Sequence, residues 1–307
     1  MSLVEKALQK LQANRPATQA AAARQDVPLV VGTVERREKV TVNAASQPNL
    51  EVPRPAKIVR VDRSALRLAG LIPPEQEASE ISDQFRAIKR PLIRGMSEPV
   101  PEGRRPPNLL MIASALPGDG KTFTSINLAL SMALERNFSV LLVDADVAKP
   151  HVTRMFGAQD EPGLLDVLVD PSRSIESVIL GTDVPSLSLL PAGRQTSTAT
   201  ELLASDRMRE IANRLAAIYS RGAVVLDSSP ILLTNEPRVL APFVGHVIIV
   251  VKAGITPQQA VQDSIELIGV NTSVSLVLNE APLSGPMGYY YGHRYGYGTN
   301  SAPAPSE

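Results

Sequence analysis

The chain has 307 residues, with 31 lysines and arginines against 31 aspartates and glutamates, and no cysteine. Zero cysteines exclude disulfides, thiol nucleophiles and thiolate metal sites, and fit a reducing cytoplasm. The charge is balanced and dispersed, which offers nucleic acid no basic patch, and the longest apolar runs, such as Val247-Ile-Ile-Val-Val251, fall far short of the roughly 20 residues that cross a bilayer.

Along the chain, Leu3, Val4, Ala7, Leu8 and Leu11 share one helical face, with Glu5, Lys6 and Lys10 elsewhere. This predicts a short amphipathic docking helix that folds on a partner or on the protein's own core, and its charges leave no apolar signal-peptide core. Residues 12–74, rich in alanine, glutamine and proline, predict a linker with one or two short strands. A helix is predicted over about 78–96, carrying Asp83, Arg86 and Lys89 at i, i+3, i+6, nearly on one face. Those charges read either as an interface or as an ordinary solvated face.

From about 105 to 281, apolar strands alternate with helical stretches. Strands are predicted near 109–113, 139–144, 186–190, 222–227, 245–251 and 273–278, which implies an α/β fold with a largely parallel sheet covered on both faces. Beyond 282 lie five of the six tyrosines, Tyr289, Tyr290, Tyr291, Tyr295 and Tyr297, interleaved with glycine and flanked by Pro282, Pro286, Pro303 and Pro305. That stretch has neither helical nor strand periodicity and is predicted to be a disordered tail. The expected organisation is thus a docking helix and linker over 1–74, a catalytic domain over 75–281 and a tail over 282–307.

The segment Ile112-Ala-Ser-Ala-Leu-Pro-Gly-Asp-Gly-Lys-Thr122 follows a predicted strand and opens a predicted helix, the context that a phosphate-binding P-loop requires. Pro117, Gly118, Asp119, Gly120, Lys121, Thr122 and Phe123 are the candidate nucleotide-binding residues. Gly118 and Gly120 let backbone N–H groups turn toward phosphates, the helix beginning near Lys121 adds its positive end, Lys121 neutralises outer phosphates and the Thr122 hydroxyl can ligate magnesium. Ala115 stands where the general G-x-x-x-x-G-K pattern places its first glycine, five residues before Gly120, so strict pattern matching would miss this loop.

Two further strands end in acids: Val140-Leu-Leu-Val-Asp-Ala-Asp146 and Ala223-Val-Val-Leu-Asp-Ser-Ser-Pro230. Asp144 and Asp146, spaced i, i+2, share a strand face and repel unless a cation or proton intervenes. Ligands of parallel sheets bind beyond the strands' carboxyl ends, so the loop, this pair and Asp227 are expected to converge on one crevice. His151, His246 and His293 are too scattered to predict a metal site.

Pro117-Gly-Asp-Gly-Lys-Thr122, Val143-Asp-Ala-Asp146 and Leu226-Asp-Ser-Ser-Pro230, with the terminal tyrosine cluster, resemble the Walker A, A′ and B motifs and the tail of the bacterial protein-tyrosine kinases (BY-kinases) of polysaccharide export. Residues 1–11, Phe85-Arg-Ala-Ile-Lys-Arg-Pro91 and Leu190-Pro-Ala-Gly193 further resemble the exosortase-associated tyrosine autokinase subgroup. The resemblance implies a P-loop fold that binds ATP and Mg2+, with Thr122, Asp144 and Asp227 around the metal and Lys121, Asp144 and Asp146 as catalytic residues, the two aspartates serving as proton acceptors. It implies that the five tail tyrosines are phosphoacceptors and that Asp83, Arg86 and Lys89 form an oligomer interface. It also implies a membrane adaptor of polysaccharide co-polymerase type, a cognate phosphatase, and a cytoplasmic location with recruitment to the inner membrane face.

Two departures from the family pattern stand out. Ala148 replaces the arginine of Asp-x-Asp-x-Arg, with Lys149 one position late and unable to reproduce a bidentate guanidinium contact. The interface motif also carries two conservative changes. A competing reading is a MinD/ParA-like ATPase that transfers phosphate only to water, although Ser114-Ala-Leu-Pro117 lacks that group's signature lysine and the tyrosines then have no role. A nucleotide-binding scaffold is the third.

Overall fold

A computed structural model describes residues 55, 57–71, 80–97, 105–269 and 272–281. The expected docking helix over 1–11 and the tyrosine cluster lie outside the described residues. In chain order the first elements are β1 (Ile58–Val59), α1 (Arg63–Leu68), α2 (Glu80–Met96), β2 (Leu109–Ser114), α3 (Lys121–Ala133) and β3 (Ser139–Asp144). Next come α4 (His151–Met155), α5 (Leu164–Val169), β4 (Leu180–Thr182), β5 (Leu187–Leu190), α6 (Ala199–Leu203) and α7 (Asp206–Ile218). The last are β6 (Gly222–Pro230), α8 (Glu236–Leu240), β7 (His246–Lys252), α9 (Gln258–Ile268) and β8 (Ser273–Asn279).

The strands form one sheet in the order β1-β4-β5-β3-β6-β2-β7-β8. From β5 to β8 every neighbouring pair is parallel; β4 runs antiparallel to β5, and β1 follows β4. Because side chains alternate along a strand, each central strand feeds two cores. Leu109, Met111, Leu141 and Val143 pack on one face, and Leu110, Ile112, Val140 and Leu142 on the other. Helix α3 is buried nearly all round, which fits its apolar and small residues and fixes the start of the helix against the sheet.

The six predicted strands are present. The stretch read as linker contains more than short strands: Asp62 caps α1 by accepting from the N–H groups of Ser64 and Ala65 at 2.9 and 3.0 Å. Val59, Val61, Leu66 and Leu71 are buried in the second core. Asp183 ties this segment down by accepting from Val61 N at 2.9 Å and Arg63 Nη1 at 2.6 Å.

Lys89 requires a correction. It is buried at 5% exposure, its Nζ donating to the Ser131 carbonyl at 2.6 Å and pairing with Glu135 at 2.8 Å. Six residues at 100° per residue carry it about 120° around the helix from Asp83, so it enters the α2–α3 contact, while Asp83 and Arg86 pair at 2.7 Å on the outer surface. Lys89 holds the helix to the core; it is not part of an exposed charge row.

Candidate active site

The phosphate loop lies at the carboxyl end of β2, flanked by β6 and β7. Gly118 and Gly120 have φ of 82° and 101°, the left-handed region that glycine enters without strain. Ala115 is fully buried and takes no positive φ, so this position does not demand glycine. Among the described residues no hydrogen bond engages the N–H groups of Gly118, Asp119 or Gly120, which leaves them for an anion. The side chain of Phe123 packs against the second core, its ring 6.2 Å from that of Phe85 on α2, and a Cβ built on Gly70 just after α1 would stand 3.8 Å from it. Only its backbone remains near the loop.

The three acids arrive as their strands dictate. Asp144 and Asp227 are register partners on β3 and β6. Thr122 Oγ1 donates to Asp227 Oδ2 at 2.8 Å, and Ser125 Oγ lies 2.8 Å from Oδ1. Lys121 Nζ pairs with Asp146 Oδ2 at 3.0 Å. Asp144 Oδ2 accepts from Thr153 N at 2.7 Å, whereas its Oδ1 is buried with no hydrogen-bond partner.

Burial, then Asp227 and to a smaller degree Asp146, push Asp144 up to about 7 against the Thr153 N–H. Burial likewise pushes Asp227 up to about 6, while Lys121 and the Ser125 and Thr122 hydroxyls pull the other way. Among the described residues no group of three or more Asp, Glu, His or Cys is arranged to hold a metal alone. The donors present still fit magnesium: a hydroxyl, an orphaned carboxylate oxygen and a second carboxylate are hard oxygens, and this ion commonly takes one or two carboxylates with phosphates and waters completing its shell.

Several contributors escaped the sequence reading. His151 opens α4 at the rim; burial, then the cations of Arg154, Lys121 and Lys149, hold its imidazole below the usual range against the pull of Asp146. Its distance of only five residues from Asp146 was the available signal. Thr153 links Asp144 to Ala192, whose N–H donates to Thr153 Oγ1 at 3.1 Å. Leu190-Pro-Ala-Gly193 thus acts as a support: Pro191 and Ala192 carbonyls accept from Leu164 and Leu165 N–H groups at 2.8 and 2.9 Å. A Cβ on Gly193 would lie 2.4 Å from Asp166 Oδ2. Ala148 is exposed, and the turn bearing it is held by Gln195 Nε2, which donates to the Val147 and Ala148 carbonyls at 3.1 and 2.8 Å.

Strand, glycine loop and helix beside acids at the ends of neighbouring parallel strands define a P-loop nucleotide-binding protein. The sequence matches the AAA domain family over residues 109–273. It is 34% identical over 204 residues to the putative tyrosine-protein kinase EpsB of Ralstonia nicotianae, covering 64% of this chain and 27% of EpsB. It is 30% identical over 237 residues to the tyrosine-protein kinase YwqD of Bacillus subtilis, covering 76% of this chain and 96% of YwqD. The solved kinase domain of Escherichia coli tyrosine kinase ETK superposes with a TM-score of 0.56 at 26% identity, covering 66% of this chain and 77% of that one. The chain belongs to the bacterial tyrosine-protein kinase family, built on an AAA domain.

Proposed function

We propose that this chain is an ATP- and Mg2+-dependent protein-tyrosine autokinase whose acceptors are Tyr289, Tyr290, Tyr291, Tyr295 and Tyr297, and that it regulates exopolysaccharide synthesis or export. The observation that carries the reading is the placement of Lys121 and Thr122 within hydrogen-bond reach of Asp146 and Asp227. Magnesium ATP, when bound, supplies the transferable phosphoryl group and a cation that offsets its charge. Phosphoryl transfer asks mainly for positioning and charge neutralisation. Thr122 and Ser125 fix the Asp227 carboxylate, Lys121 brings a positive charge, and Asp144 and Asp146 stand ready to receive the phenol proton. An unperturbed phenol has a pKa near ~10, so proton transfer is late.

The proposed setting includes a neighbouring copy of the chain, a membrane adaptor of polysaccharide co-polymerase type and a phosphatase that resets the tail. Catalysis would take place on the cytoplasmic side, at the inner membrane face. Among the described residues no helix is long and apolar enough to cross a membrane.

Intact-mass measurement and peptide mapping after incubation with ATP and magnesium test the assignment. Phosphate should appear on the tail tyrosines in wild type and be absent in Lys121→Met with the fold unchanged. ATP hydrolysis without tyrosine modification, even with the adaptor present, would favour the ATPase reading instead.

A further inference from the structure

Asp119 lies between the two left-handed glycines of the phosphate loop and is buried at 3% exposure. A carboxylate there would oppose an incoming phosphate if it faced the anion. It is turned away and its acceptors are occupied: Oδ2 accepts from Leu116 N at 3.0 Å, Oδ1 from Thr256 Oγ1 at 2.7 Å, and the backbone carbonyl from Asn279 Nδ2 at 3.0 Å. Thr256 Oγ1 accepts from Lys252 N at 3.0 Å and gives its one proton to the Asp119 carboxylate, which can only accept. Thr256 follows β7, Asn279 ends β8, and the two strand ends are joined by the Ala253 N–H to Asn279 carbonyl bond at 2.9 Å.

Asn279 also presses on the loop. A Cβ at Gly120 would stand 2.1 Å from Asn279 Nδ2, so glycine is required there for this approach as well as for φ.

We infer that Asp119, Thr256 and Asn279 form a positioning network that shapes the phosphate loop from the ends of β7 and β8. It rests on the nucleotide-binding reading above but not on tyrosine transfer. None of the three side chains is assigned a contact with the reacting atoms; they aim the loop N–H groups by holding Asp119 back. Because the three bonds converge on one residue, loss of any one frees the same loop, and losses at Thr256 and Asn279 should not add.

The test uses the full chain with ADP and Mg2+ as probe. Calorimetric dissociation constants and melting temperatures without nucleotide are compared for wild type, Thr256→Val, Asn279→Ala, the double variant and Thr256→Ser. Each single variant should weaken ADP binding about tenfold, the double no more than about twofold further, with nucleotide-free melting within about 2 °C of wild type; Thr256→Ser should restore affinity. Unchanged ADP affinity in folded single variants overturns the inference, as does a lowered melting temperature with no change in affinity. Fully additive losses would also overturn it, by showing two independent contacts. Loss of tyrosine transfer with normal ADP binding in wild type would count against the kinase assignment and leave the network standing.

Discussion

Asp144 and Asp227 meet across neighbouring strands in a buried place, and the protein carries the electrostatic cost until a cation arrives. Their folded values of about 7 and about 6 exceed the ordinary carboxylate value. Between about pH 4 and 7 the folded state therefore binds more protons than the unfolded chain, so this pair contributes stability at acid pH that is lost as pH rises. Asp144→Asn removes one charge from the pair. At pH 8 and without magnesium it should raise the melting temperature by several degrees, while phosphotransfer falls about a hundredfold or more. A melting temperature that drops, or activity close to wild type, would mean that the carboxylate is not held against its own preference. By the same linkage, magnesium-nucleotide affinity should strengthen from pH 6 to 8 as protons leave the pair, measurable by calorimetry in buffers of different ionisation enthalpy. Tyr219 marks the opposite extreme: burial pushes its phenol up to about 12, and at 1% exposure it offers no kinase an acceptor.

At the scale of elements, α2 divides into a face that packs on α3 through Lys89 and a face that carries the Asp83–Arg86 pair. Lys89→Met should cost about 1–3 kcal/mol, because the Ser131 carbonyl loses a charged donor in a buried contact. Asp83→Ala and Arg86→Ala should each change stability by under about 0.5 kcal/mol, leaving these two as the positions whose replacement reports on assembly. Chemical denaturation separates the two classes; equal losses at all three sites would contradict the assignment of faces. The segment holding β1 and α1 makes a similar point. Leu66→Ala and Leu71→Ala should each lower the melting temperature by several degrees, since both side chains are buried in the second core.

These elements also show what a sequence makes legible. Uninterrupted runs such as Leu109-Leu-Met-Ile112 announced the central strands because both sheet faces are covered, and the acids closing them located the crevice. β1, β4 and α1 are too short to carry a period, and their formation depends on Asp183 and on apolar partners far along the chain. Lys89 looked like surface because its chemistry is that of surface; its actual partners are the Ser131 carbonyl and the Glu135 carboxylate, which no spacing within its own helix reveals. Thr153, Thr256 and Asn279 were hidden for the same reason, as each acts through a contact that spans loops.

For the whole molecule, each phosphotyrosine adds about −1.5 to −2 charges near neutral pH, so under the proposed autokinase function a fully modified tail would repel a γ-phosphate placed beside Lys121. Unmodified chains should therefore associate through tail-in-site contacts, assisted by Asp83 and Arg86, and modified chains should separate. Sedimentation at fixed nucleotide should show the unmodified form larger than both the phosphorylated form and a chain truncated after Pro286. Equal masses for all three would return the tyrosines to a passive role.

The placement of β8 sets a leash. Its parallel run brings the chain to Ala281 on the same side of the sheet as the phosphate loop, two strands away from β2, or about 10 Å at ordinary strand spacing. Eight residues separate Ala281 from Tyr289, a contour of at most about 29 Å. Length alone thus allows a molecule to serve itself, at a local concentration in the millimolar range that is typical of short tethers. Preference for a neighbour must then come from the path that the leash has to follow. Dilution tells the two apart: self-service has an initial rate per molecule indifferent to protein concentration, whereas service by a neighbour slows as the chains are drawn apart.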